Sequence, residues 1–240
     1  YGPAAAWLDL ASIADSYDDP QTSPAEWERY WFNRPVSLQG QWLPQAAWDE
    51  CQVAREIPDG ERVVLALDGS YSRDATAIAA VSVTQFPHLQ LAGIWERPPG
   101  ETEWTVPILD VEEAIRTACL RWQVVEITAD PHLWSRSLEV LAAEALPVTE
   151  FFQSAARMTP ATQRFTTMVL ERQLTHSGDP ILTRHISNAV LKSDARGVRI
   201  YKENKNSARK IDAAVASIMA LERAMTYQEQ PQSAEPFFIA

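Results

Sequence analysis

Val63-Val64-Leu65-Ala66-Leu67 is an unbroken apolar run closed by Asp68-Gly69-Ser70. A surface helix would place polar residues every few positions, and a half-solvated strand would alternate. This run therefore reads as a short strand buried on both faces. Such a strand lies inside a sheet covered on each side, which directs the chain toward an α/β layer architecture. A second strand-like run, residues 124–129, ends in the same way, on Asp130-Pro131.

The remaining pattern builds around these two strands. Residues 76–83 and 89–96 read as strands joined around Pro87, which makes an antiparallel three-strand meander with 63–67. Residues 111–122 carry Val111, Ala114, Ile115, Ala118 and Cys119 at helical spacing. A helix is expected over 135–145 and a fifth strand over 148–152. Thr159 and Pro160 look like a cap and first position of a helix to about 174. Residues 186–192 read as one or two helical turns and 198–202 as a strand of a basic ribbon. A last long helix is expected from 207 to about 227, and residues 228–240 as a loose tail. Residues 1–58 differ in character. Trp7, Trp27, Trp31, Trp42 and Trp48 fall here, with short helices expected at Ser23-Pro24-Ala25-Glu26 and after Pro44. Rings at this density call for a surface to pack on rather than for bases to stack on.

The chain opens at Tyr1 with neither a methionine nor a secretory leader, and reads as a piece of a longer protein. Two cysteines provide no disulfide framework, and no stretch is long and apolar enough to span a membrane. The net charge of −11 argues against a generic nucleic-acid binder. Its distribution argues the other way. Residues 192–210 hold Lys192, Arg196, Arg199, Lys202, Lys205, Arg209 and Lys210 against Asp194 and Glu203, a local +5 that leaves −16 elsewhere.

Two carboxylates at neighbouring strand ends are costly unless a cation neutralises them. Hard oxygen ligands select Mg2+ or Mn2+. Asp212, in Lys210-Ile211-Asp212, sits at the start of the last helix, where the helix dipole accepts a negative charge. Asp68, Asp130 and Asp212 are thus the candidate catalytic and metal-binding residues, with Asp74 as an auxiliary ligand. Two divalent ions held by them would act on an attacking water and a leaving 3′ oxygen of a phosphodiester. Arg196, Arg199, Lys202, Lys205, Arg209 and Lys210 are the candidate DNA contacts. Glu126 is expected to face away, His132 to be a surface residue, and Asp179 and His185 to be structural. The chain has no phosphate-binding loop of the Gly-x-x-x-x-Gly-Lys-Ser/Thr kind.

Three antiparallel strands followed by alternating helix and strand form a ribonuclease H-like arrangement: a mixed five-stranded sheet flanked by helices, here with an added basic β-hairpin. Within it, Ala66-Leu67-Asp68-Gly69-Ser70, Asp74-Ala75-Thr76-Ala77, Thr128-Ala129-Asp130-Pro131 and Arg209-Lys210-Ile211-Asp212-Ala213-Ala214 resemble, in order and spacing, the nuclease domain of tailed-phage large terminase subunits. The resemblance covers roughly 60–227. It implies a metal-dependent endonuclease at 59–227 that cuts concatemeric DNA during genome packaging in the host cytoplasm. It makes 1–58 the lead-in from an ATPase domain outside this chain, and implies double-stranded DNA, a small terminase subunit and a portal or procapsid as partners. A junction resolvase or transposase on the same fold, and a non-catalytic docking module, are the alternatives.

Overall fold

The computed structural model describes residues 42–70, 75–98, 103–202 and 209–229, together with residues 9 and 101. The chain separates into units 1–41 and 42–240, and the second is described here. Its central strand is β1 (Arg62–Gly69), whose residues 63–67 are all buried. β2 (Thr76–Ser82) lies antiparallel beside it, and β3 (His88–Trp95) lies antiparallel beside β2. On the other flank, β4 (Gln123–Ala129) runs parallel to β1, and β5 (Val148–Glu150) runs parallel to β4. A sixth strand, β6 (Thr175–His176), extends the far edge parallel to β3, giving the order β5-β4-β1-β2-β3-β6. The expectation of five strands missed it because two residues carry no periodicity.

The β1–β4 pairing contains an irregularity. Val63 faces Val124, but Val64 faces Glu126, so β4 holds one extra residue before the two strands proceed together to Leu67 opposite Ala129.

Alternate residues of β1 feed two cores, as the period of a strand requires. Val63, Leu65 and Leu67 pack with α2 (Ile108–Arg121) and α3 (Pro131–Ala143) through Val111, Ile115, Trp134 and Leu138. Val64 and Ala66 pack on the opposite face, against α4 (Ala155–Leu170), α5 (Pro180–Asn188) and α6 (Asp212–Glu229). The sheet is thus the middle of three layers. Residues 212–221 of α6 are buried all round, and Ala213, Ala214, Ala216 and Ala220 let its backbone come close to β1 and β2.

Trp42, Leu43, Trp48 and Cys51 belong to the α6-side core, so the unit starts at Trp42 rather than near 59. The indole N–H groups of Trp42 and Trp48 donate to Thr166 and Thr183, and Trp48 stacks on the buried His176. The helix expected after Pro44 is the short α1 (Gln45–Asp49). The one expected at 23–26, the remaining lead-in tryptophans Trp7, Trp27 and Trp31, and residues 230–240 lie outside the described residues.

Several helix boundaries differ from expectation. α4 starts after Ser154, so Pro160 lies inside it. Ala156 and Pro160 are both exposed, so the carbonyl that Pro160 leaves without a donor faces water. α5 replaces the turn or two expected near 186: Asp179 accepts from the N–H of Ile181 and Leu182, and Pro180 follows it. β7 (Val190–Asp194) and β8 (Gly197–Tyr201) form a separate antiparallel hairpin, and α6 starts at Asp212 rather than near 207. Among the described residues, no helix is long and apolar enough to cross a membrane.

Candidate functional site

β1 and β4 are parallel and end level, so Asp68 and Asp130 emerge side by side on the α6 face. Asp130 caps α3: its Oδ1 accepts from the N–H of His132 at 2.9 Å. Its Oδ2 accepts from the backbone N–H of Gln153 at 2.9 Å, and the Gln153 side chain donates from Nε2 to Asp68 Oδ1 at 2.6 Å. Asp212 opens α6 beside this pair. It is 6% exposed, and its Oδ2 has no hydrogen-bond partner. Burial raises the Asp212 carboxyl to about 7, with the charge of Asp68 as the next cause. Burial likewise raises Asp68 to about 6, against the pull of the Gln153 donor.

The sequence-predicted residues divide. Asp68, Asp130 and Asp212 converge on one end of the sheet. They do not close into a cage: among the described residues, no group of three or more His, Cys, Asp or Glu stands as close as the ligands of one ion. An acceptor-only carboxylate oxygen, buried without a donor beside a second carboxylate, suits a hard divalent cation in both charge and chemistry. Asp74 and Lys205 lie outside the described residues.

The ribbon splits as well. Arg199 pairs with Asp194 at 2.8 Å and lies over the Tyr201 ring, so its charge is spent within the hairpin. Lys202 is partly buried; burial lowers its pKa, against the attraction of Asp212 and Asp68. Its charge is therefore directed at the carboxylates rather than at solvent. Lys210 is partly buried, and Arg196 and Arg209 are exposed.

One contributor, Gln153, was missed from sequence, and another, His185, has the structural role expected of it. Gln153 stood in an unpatterned stretch after β5 and carried no signal. His185, read as structural, is buried and holds the start of α6. Its Nδ1 accepts the N–H of Ala213 at 3.0 Å, and its Nε2 lies 3.0 Å from Glu96 Oε1. With Nδ1 accepting, the ring proton belongs on Nε2, pointed at Glu96. Burial lowers the His185 pKa and favours this neutral form. Arg184 completes the group by pairing with Glu96.

Gly69 sets the exit of Asp68. Its φ is +151°, and a Cβ there would meet Thr76 Cα and lie 2.6 Å from the Ala75 carbonyl oxygen. Gly69→Ala should therefore destabilise the fold by about 2 kcal/mol and lower the melting temperature by several degrees. An unchanged melting curve would mean that the β1 end relaxes freely.

Comparison with known proteins gives a consistent outcome. A family model described as "Terminase large subunit, endonuclease domain" matches residues 97–228, a span that includes Asp130 and Asp212 but not Asp68. The "Gene 13 protein" of Mycobacterium phage L5 is 29% identical over 89% of this chain and 40% of its own length. The chain thus spans about two fifths of the curated relatives it matches. Among solved structures, the large terminase of bacteriophage HK97 superposes with a TM-score of 0.64 at 20% identity, over 90% of this chain and 50% of that one. The large terminase nuclease of the thermophilic phage G20c, solved with bound magnesium, gives 0.57 at 12% identity, over 78% of this chain and 98% of that one. At these identities the superpositions speak to the fold, which is ribonuclease H-like.

Proposed function

The chain belongs to the terminase large subunit endonuclease-domain family, and from that premise we propose that it is a metal-dependent DNA endonuclease that cuts concatemeric viral DNA in the host cytoplasm during genome packaging. The observation that carries the reading is the meeting of Asp68 and Asp130 at the ends of parallel strands, with Asp212 buried beside them and one of its oxygens unpartnered. The bound magnesium of the G20c nuclease supports divalent-metal use.

In this reading Asp68, Asp130 and Asp212 hold two divalent cations, Mg2+ or Mn2+, with Asp74 as an auxiliary ligand. Once bound, the ions polarise the phosphodiester and activate water. The chain's own groups do the rest. His185 and Glu96 fix the start of α6 and so the place of Asp212. Lys202 offsets the carboxylate charge from the hairpin side. Arg196 and Arg209, with Lys205 and Lys210, face the phosphates of double-stranded DNA, while Arg199 shapes the hairpin. The unit from Trp42 to about residue 227 carries the nuclease. The segment before it leads in from an ATPase domain elsewhere in the parent protein, which would work with a small terminase subunit and a portal or procapsid.

The test is supercoiled-plasmid cleavage by the purified chain in Mn2+, Mg2+ or EDTA. Nicking and linearisation are expected with either metal and none in EDTA. Cutting that survives EDTA would sink the metal mechanism. No cutting, with no metal-induced rise in melting temperature, would sink the nuclease reading of this site.

A further inference from the structure

Gln153 makes contacts that the fold does not require. It lies three residues beyond the end of β5, yet its side chain reaches Asp68 on β1 and its backbone N–H reaches Asp130 after β4. One residue therefore spans both strand-end carboxylates. Its Nε2 also lies 3.7 Å from Met219 Sδ on α6, which packs the amide under the helix that carries Asp212. An amide nitrogen donates but offers no lone pair to a metal, so it takes up carboxylate capacity without contributing a ligand. A divalent cation held by Asp68 needs that same capacity.

We propose that Gln153 is a placeholder that competes with a cation for Asp68: its side-chain amide donates to Asp68, and a divalent cation binding Asp68 displaces that N–H. The inference rests on the metal reading given above. Asp130 takes no part in the exchange, because its partners are the backbone N–H groups of His132 and Gln153, which the chain path holds in place. Loading thus consists of one donor leaving Asp68 while Asp130 keeps its orientation. Gln153 is a positioning residue in this scheme, acting through Asp68.

The scheme predicts a gain that a purely structural role would not produce. Mn2+ titrations of the full chain are followed by calorimetry and by melting temperature, for the wild type, Gln153→Met and Gln153→Ala. Methionine keeps the length and can pack on Met219 but has no donor. In both variants the Mn2+ dissociation constant should fall about tenfold, equal to about 1.4 kcal/mol, while the metal-free melting temperature falls. If Gln153→Ala fails to fold, Gln153→Met decides alone. Equal or weaker Mn2+ binding by the variants, with the wild type still binding, overturns the placeholder and leaves the metal site standing. A wild type that binds no Mn2+ overturns both.

Discussion

Asp212→Asn should melt several degrees above the wild type in EDTA at pH 8 and yet cut no plasmid in Mn2+. The two effects share one cause. Asp212 is buried with an unpartnered oxygen, and its ionisation is opposed by burial and by Asp68. Without a cation that charge is a liability to the fold; with one it is a ligand. The pH dependence follows in sign. The folded pKa of Asp212 lies at about 7, against 3.8 as an ordinary aspartate. Below pH 4 the group is neutral in folded and unfolded chains alike, and the cost is absent. As pH rises toward and through 7, the unfolded chain ionises freely while the folded one resists, so wild-type stability is lost. The gap between variant and wild type should be small near pH 4 and full above pH 7, on the order of 2 kcal/mol after allowance for coupling to Asp68. Burial depresses the pKa of His88, His176 and His185, whose opposite effect is confined to lower pH; it is common to both proteins and cancels in the difference. The expected loss of cutting is large, because the metal supplies several kcal/mol at the transition state and about 1.4 kcal/mol is a factor of ten, hence roughly a thousandfold. A variant that melts below the wild type at pH 8 in EDTA, or that cuts at near wild-type rate, would contradict this account.

The largest purely structural effect should come from Arg223→Ala. Glu126 is 0% exposed in the middle of β4, where Arg223 of α6 donates to both of its oxygens at 2.6 Å and Tyr227 adds a side-chain hydrogen bond. Removing the guanidinium leaves that charge buried without its counter-ion, at about 3–5 kcal/mol and a melting temperature lower by on the order of 10 °C. Replacing both residues with methionine should restore much of the loss, since the pair itself contributes little beyond a matched apolar contact. Chemical denaturation of the wild type and the two variants measures this; Arg223→Ala within 1 kcal/mol of wild type would refute it.

The strands and the candidate aspartates were legible because each signal was local. An apolar run ending in aspartate needs no partner to be recognised, and the order of elements then placed β1 beside β4. What stayed hidden depended on distance in sequence. Gln153 matters only because the end of β5 lands between Asp68 and Asp130. His185 matters only because α5 brings it under the first turn of α6. Arg199 looked like a phosphate contact until the hairpin register set Asp194 opposite Gly197 and within its reach. α5 is a different case. Asp179-Pro180 carries the same cap-and-proline signal as Asp130-Pro131, yet the helical turns expected there begin only at residue 186.

The extra residue in β4 turns out to be a matter of parity. From Val63 to Asp68 is an odd number of steps, and from its partner Val124 to Asp130 an even number. In an uninterrupted ladder the two aspartates would therefore point to opposite sides of the sheet, one toward α6 and the other into the α2–α3 core. The single skipped position between Val124 and Glu126 restores agreement. A one-residue deletion beyond it, between Glu126 and Asp130, would leave every aspartate present and turn Asp130 to the other face, dividing the site between two layers that never meet.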